Sequence, residues 1–132
     1  DLANYKKRSE QERSGIIEFV NAELILSLLP VLDDLERALD SIPNELTELS
    51  WVNGIELVCR KLRDILKAHG LSEIKALGEA FDPRYHEAMM EGDGDEGKVI
   101  EVAQKGYKLR DRVIRPARVI VGRGGENEKS RE

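Results

Sequence analysis

Few residues in this chain have the type and spacing to do chemistry. His86 and Glu87 stand side by side, as they do in H-E-x-x-H, where two imidazoles on one helix face hold zinc and the glutamate acts as general base. Position 90 is Met90, so the second imidazole is missing. The chain has two His and one Cys, scattered without metal-ligand spacing. The run EGDGDEG, Glu91 to Gly97, has carboxylates enough for calcium. It lacks the D-x-[DN]-x-[DN]-G order and the later glutamate of an EF-hand loop, so an acidic solvated turn is expected. Asp33, Asp34 and Glu36 read as surface charge, and Cys59 as a core residue in an apolar helix stripe. No phosphate-binding G-x-x-x-x-G-K-[ST] and no G-x-G-x-x-G occurs. The reading is of a protein that binds rather than catalyses, without metal or cofactor.

One segment is concentrated enough to suggest a binding chemistry. Gln104 to Gly122 reads QKGYKLRDRVIRPARVIVG. From Lys105 to Arg123 there are seven basic residues and a single acid, Asp111, in a chain whose net charge is -5. Cations mixed with Val and Ile suit a docking surface for an acidic, partly apolar partner. They also suit a basic β-domain that binds nucleic acid, carried on a coiled-coil dimer. Against that alternative, the run has one aromatic, Tyr107, where single-strand platforms use several, and the net charge has the wrong sign.

The elements that must position this segment follow from composition and period. In 132 residues, 36% are charged and 5% aromatic, which favours solvated helices over a thick core. Residues 1–29 hold only Gly15 as a breaker and predict a long helix. Leu2, Tyr5, Ile16, Phe19 and Leu26 give it a loose seven-residue seam, interrupted by Ser9, Glu12 and Glu23. Pro30 predicts a break or kink. A second helix is expected to about Ser41, with Leu32, Leu35 and Leu39 on one stripe, and a third from about Leu46 to Ala68, with Ile55, Val58, Leu62 and Ile65. His69-Gly70 reads as its C-terminal cap. Helices 30–70 carry stripes too wide to cover each other. A second copy of the chain, giving a dimeric four-helix bundle, is the economical partner.

From Leu71 the grammar changes to short apolar runs with Gly and Pro. Lys98 to Tyr107 and Arg112 to Val121 predict strands joined by a turn at Leu109 to Asp111. Val113, Ala117, Val119 and Val121 share one face of the second, and Pro116 predicts an edge strand or a bulge. A small β-domain at 71–122 and a frayed tail at 123–132 complete the reading, for an α+β fold overall. The lone Cys59 fits a reducing compartment. No apolar run is expected to approach the roughly 18 residues of a membrane span. The opening DLANYKKRSEQERS has no signal-peptide pattern, and without an initiator Met it reads as the inside of a longer chain.

Four blocks, in order, resemble the GrpE family, the nucleotide exchange factors of DnaK-type chaperones. They are LLPVLDDLERAL (Leu28 to Leu39), NGIELVCRKLRDILKAHGL (Asn53 to Leu71), FDPRYHEAM (Phe81 to Met89) and GYKLRDRVIRPARVIV (Gly106 to Val121). The resemblance implies a cytoplasmic co-chaperone: a parallel dimer with long N-terminal helices, a four-helix bundle and a small β-domain on each protomer. One β-domain would dock on the chaperone's nucleotide-binding domain, swing out a lobe of its cleft and speed ADP release. Carried over by position, the chaperone contacts would be Arg112, Val121, Ala103, Pro83, Gly54 and Lys6. Ala103 is smaller than the Met or Leu usual there.

Overall fold

In a computed structural model, residues 1–124 are described. The chain divides into two compact units, residues 1–42 and 43–132. The first unit is dominated by one helix, α1 (Leu2–Asp40). Asp1 caps it, its carboxylate accepting from the Ala3 amide at 3.0 Å. Ser41 ends it, the hydroxyl donating to the Ala38 carbonyl at 2.7 Å, and Pro43 forbids continuation.

The helix runs through Pro30 without interruption, so of the expected break or kink there, the break is corrected. A proline removes one amide hydrogen bond. Strong helix formers on both sides, LILSLL before and VLDDLERAL after, outweigh that loss, and Leu29 and Leu32 around it are buried. By length and composition, one window of α1 is apolar enough to cross a membrane, although Glu18, Asn21 and Glu23 interrupt it.

The second unit opens with a single 3-10 turn at Asn44–Leu46, where the third helix was expected to begin. The helix itself, α2, is Ser50–Ala68. His69 caps it and Gly70 follows at φ 98°, as the His-Gly pair predicts.

Each helix carries two adjacent apolar stripes. On α2, Val52, Cys59 and Leu66 are buried, while Trp51, Val58 and Ile65, one residue earlier at the same seven-residue spacing, are each more than half exposed. On α1, Ile25, Leu29 and Leu32 are buried, and Leu24, Leu28 and Val31 are exposed. The single chain covers one stripe of each pair and leaves its neighbour in water.

The rest of the unit is β structure, in two three-stranded sheets. Strands β1 (Leu71–Glu73), β4 (Tyr107–Leu109) and β5 (Arg112–Arg115) form one, in the order β1-β4-β5, all antiparallel. Strands β2 (His86–Glu96), β3 (Val99–Gln104) and β6 (Ala117–Gly122) form the other, in the order β2-β6-β3. There β2 runs parallel to β6 and β3 antiparallel to it. The core lies on one face of this sheet: Val99, Ala117 and Val119 with Ala76, and Phe81, Val102 and Val121 packed against them. The predicted face of Ala117, Val119 and Val121 is the inward one.

Four expectations for this region are corrected. The two long strands are four, and only β4 and β5 form the hairpin across the 110–111 turn, with Arg110 at φ 55°. Pro116, which has no amide to give a ladder, marks the place where the chain leaves one sheet for the other, and β6 beyond it is a central strand rather than an edge. The acidic run EGDGDEG is not a free turn, because all but Gly97 belongs to β2. Its glycines admit the other sheet face: a Cβ at Gly92 would lie 3.1 Å from both the Ile100 and Ile120 side chains. Arg123 and Gly124, expected to fray, are hydrogen-bonded through their amides to the Gly92 and Gly94 carbonyls, at 3.0 and 2.9 Å. The rest of the predicted tail lies outside the described residues.

Candidate docking face

The predicted contact residues are spread over several elements. Arg112 opens β5 and is exposed; its backbone pairs with Leu109 across the hairpin. The Arg110 amide donates to the Gly70 carbonyl at 2.8 Å, so this hairpin abuts the C-terminal end of α2. Ala103 lies exposed on β3. Val121, on β6, pairs with Val99, four residues before Ala103, or about 13 Å along the strand. Its side chain is half-buried and packs against the core, so Val121 supports the sheet more than it presents a free surface. Pro83 is exposed in the turn between Asp82 and Tyr85.

Gly54 is exposed on α2, with nothing within 4 Å of an added Cβ. It lies fifteen residues before His69, about 22 Å along the helix, and so is not beside the hairpin of the same chain. Lys6 is exposed on α1, in the other unit. Of the residues assigned to dimer contacts, Leu32 is already buried in the single chain, and Leu35, Leu39 and Leu62 are half-buried. Ile55, Val58 and Ile65 are exposed.

The structure brings the Pro83 turn to the basic hairpin. The Tyr85 carbonyl accepts from the Ala117 amide at 2.9 Å, and the Lys108 ammonium of β4 sits 5.4 Å from the Tyr85 ring centroid. Arg84 lies over the same ring at 5.3 Å. The turn is closed from inside by His86, which is buried. Its Nδ1 accepts from the Asp82 amide at 3.0 Å, and its own amide donates to the Asp82 carbonyl at 2.8 Å. His86 is thus a structural imidazole, and no cluster of three or more metal-ligating side chains exists among the described residues. Outside the turn, Arg84 grips the Asp82 carboxylate through Nη2 at 2.8 Å and donates its amide to it at 3.0 Å. These bonds hold the Asp82 carboxyl below its ordinary value of 3.8, the side-chain bond being the larger cause.

Chemically, Arg84 and Lys108 are exposed or half-exposed cations beside one aromatic ring, and Arg112 is a further exposed cation on the neighbouring strand. These groups can pair with carboxylates. Sequence reasoning passed over Tyr85, Lys108 and Arg115 here. Only the dipeptide Arg84-Tyr85 beside Pro83 hinted at them, since no spacing places Lys108 beside Tyr85. Tyr107, the one aromatic of the basic run, is 5% exposed and offers no face for stacking a base.

A long helix together with a two-sheet β-domain defines the class: an α+β protein. The particular family follows from comparison. The family model described as GrpE matches residues 1–123. Protein GrpE of Alkaliphilus oremlandii is 42% identical over 125 residues, covering 93% of this chain and 67% of that protein. Protein GrpE of Methanothermobacter thermautotrophicus is 45% identical over 124 residues, covering 92% and 68%. That of Bacillus subtilis is 42% identical over 125 residues, covering 92% and 66%. The chain belongs to the GrpE family.

Proposed function

We propose that this chain is a co-chaperone: a nucleotide exchange factor that docks on the nucleotide-binding domain of a DnaK-type chaperone and accelerates ADP release. The observation that carries the reading is the family match, continuous from residue 1 to 123. The face around the β4–β5 hairpin and the Pro83 turn supports it, since it offers what an acidic, partly apolar patch would bind. Arg112 is the foremost contact, with Pro83 and Ala103 beside the same sheets, and Gly54 and Lys6 as contacts of the helices. Val121 holds the sheet beneath. The protein works as a homodimer in the cytoplasm, the second copy covering the exposed stripes of α1 and α2. It acts by binding, without catalysis of its own, and the reading calls for no cofactor, nucleic acid or membrane.

The deciding experiment is release of labelled ADP from DnaK with and without this protein. A rise in the release rate that saturates with concentration is expected. An unchanged rate, with the protein folded and dimeric, would refute the proposal. Retention on DNA resin at physiological salt without capture by DnaK would instead favour the nucleic-acid reading.

A further inference from the structure

The two β-sheets are joined where the chain crosses between them, and two of these crossings lie against each other. One is Lys105-Gly106, between β3 and β4; the other is Pro116, between β5 and β6. They touch so closely that a Cβ on Gly106 would overlap the Ala117 amide nitrogen and lie 2.8 Å from the Ala117 Cα and from the Pro116 carbonyl carbon. A third connection is tied to the same point, because the Ile74 amide, just after β1, donates to the Gly106 carbonyl at 2.8 Å.

Arg115 fastens this junction. Its Nε and Nη2 both donate to the Lys105 carbonyl, at 3.0 and 2.6 Å. Its guanidinium lies 5.3 Å over the ring of Tyr107, its partner across the β4–β5 ladder. Two donors of one planar group on one carbonyl fix direction as well as distance, which a lysine ammonium cannot do. Arg115 therefore ties the last residues before β4, continuous with the strand that carries Ala103, to the strand that carries Arg112.

We infer that Arg115 is a positioning residue for chaperone docking: it sets one sheet against the other so that Arg112, on the first, and Ala103, on the second, meet a single partner surface. The inference rests on the docking reading above. A residue that merely stabilised the fold would leave each docking contact at full strength in every molecule that remains folded.

The test is a double-mutant cycle between Arg112→Ala and Arg115→Met, read by DnaK affinity and by the ADP-release rate. It is run at a temperature where circular dichroism and sedimentation match wild type. Arg115→Met is expected to weaken binding about tenfold, and Arg112→Ala to cost several-fold less in that background than in wild type. Arg115→Lys, which keeps the charge and an aliphatic stem but loses the planar pair of donors, should fall between. If Arg115→Met does not fold, the same cycle is run on Arg115→Lys. Wild-type affinity in the folded variant, or an Arg112→Ala effect of equal size in both backgrounds, overturns the inference. No effect of Arg112→Ala even in wild type refutes the docking reading itself, and the inference with it.

Discussion

Val58→Asp should split the protein into folded single chains. Val58 is 62% exposed, in line with Trp51 at 56% and Ile65 at 56%. Full burial of a valine contributes at least ~1.5 kcal/mol, so covering its exposed part in a dimer contributes about 1 kcal/mol in each copy. Aspartate loses that term twice. It also places two carboxylates in an apolar seam, at a cost of at least ~1–3 kcal/mol each. The sum is about 4 kcal/mol or more, a rise of roughly a thousandfold in the dimer dissociation constant. The same substitution removes little from the single chain, so the isolated protomer should lose no more than about 0.5 kcal/mol. Sedimentation equilibrium across a micromolar concentration series measures the first quantity, and circular dichroism at the same concentrations the second. Val52→Asp, at a fully buried position of the neighbouring stripe, is the contrast and should unfold the chain. A wild-type protein that sediments as a folded 14.9 kDa monomer would refute the reasoning, as would a Val58→Asp dimer of unchanged affinity.

Val119→Ala, at a fully buried position in the central strand, should destabilise the β-domain by about 2–3 kcal/mol in a denaturant melt, since two methyl groups and their packing are lost. Arg112→Ala should weaken DnaK binding and slow ADP release while leaving the dimer and the helix content unchanged, as exchange kinetics beside circular dichroism would show. Asp82 has its carboxyl held down by Arg84, so the pairing stabilises the turn above pH 3.8 and is lost as pH falls below that through the folded value. Amide exchange at the Arg84 N–H, compared between wild type and Asp82→Asn, should differ at neutral pH and converge in strong acid.

The helices were legible where local chemistry decides. His69-Gly70 closes α2 as a His-Gly pair should, and Ile42-Pro43 separates the helices. Pro30 misled because its penalty is local, whereas the buried leucines on either side of it act across the whole helix. The β-domain was legible in composition but not in pairing. An alternating run cannot announce that Pro116 hands the chain from one sheet to another, or that β2 lies parallel to a strand formed much later in the chain. Glu91 to Glu96 looks like a turn because its strand character is imposed by β6 and by Ile100 and Ile120 over its glycines, not by its own propensities. For the proposed docking face, Arg112 and Pro83 were named through family blocks alone. The Tyr85–Lys108 and Arg115–Lys105 contacts could not be named so, since each joins residues far apart or depends on a backbone carbonyl.

The place of β6 has a consequence for the order of synthesis. It lies between β2 and β3 in space but is made after both. While a ribosome extends the chain towards residue 122, those two segments have no common partner, and residues 86–96 lack the strand that orders them. Such a segment is a template for pairing with strands of neighbouring nascent chains. Glu87, Glu91, Asp93, Asp95 and Glu96 give it a dense negative charge that repels another copy of itself, and its glycines weaken any early pairing. By like-charge repulsion the acidic run disfavours pairing between unfinished copies, until the last strand arrives to close the sheet.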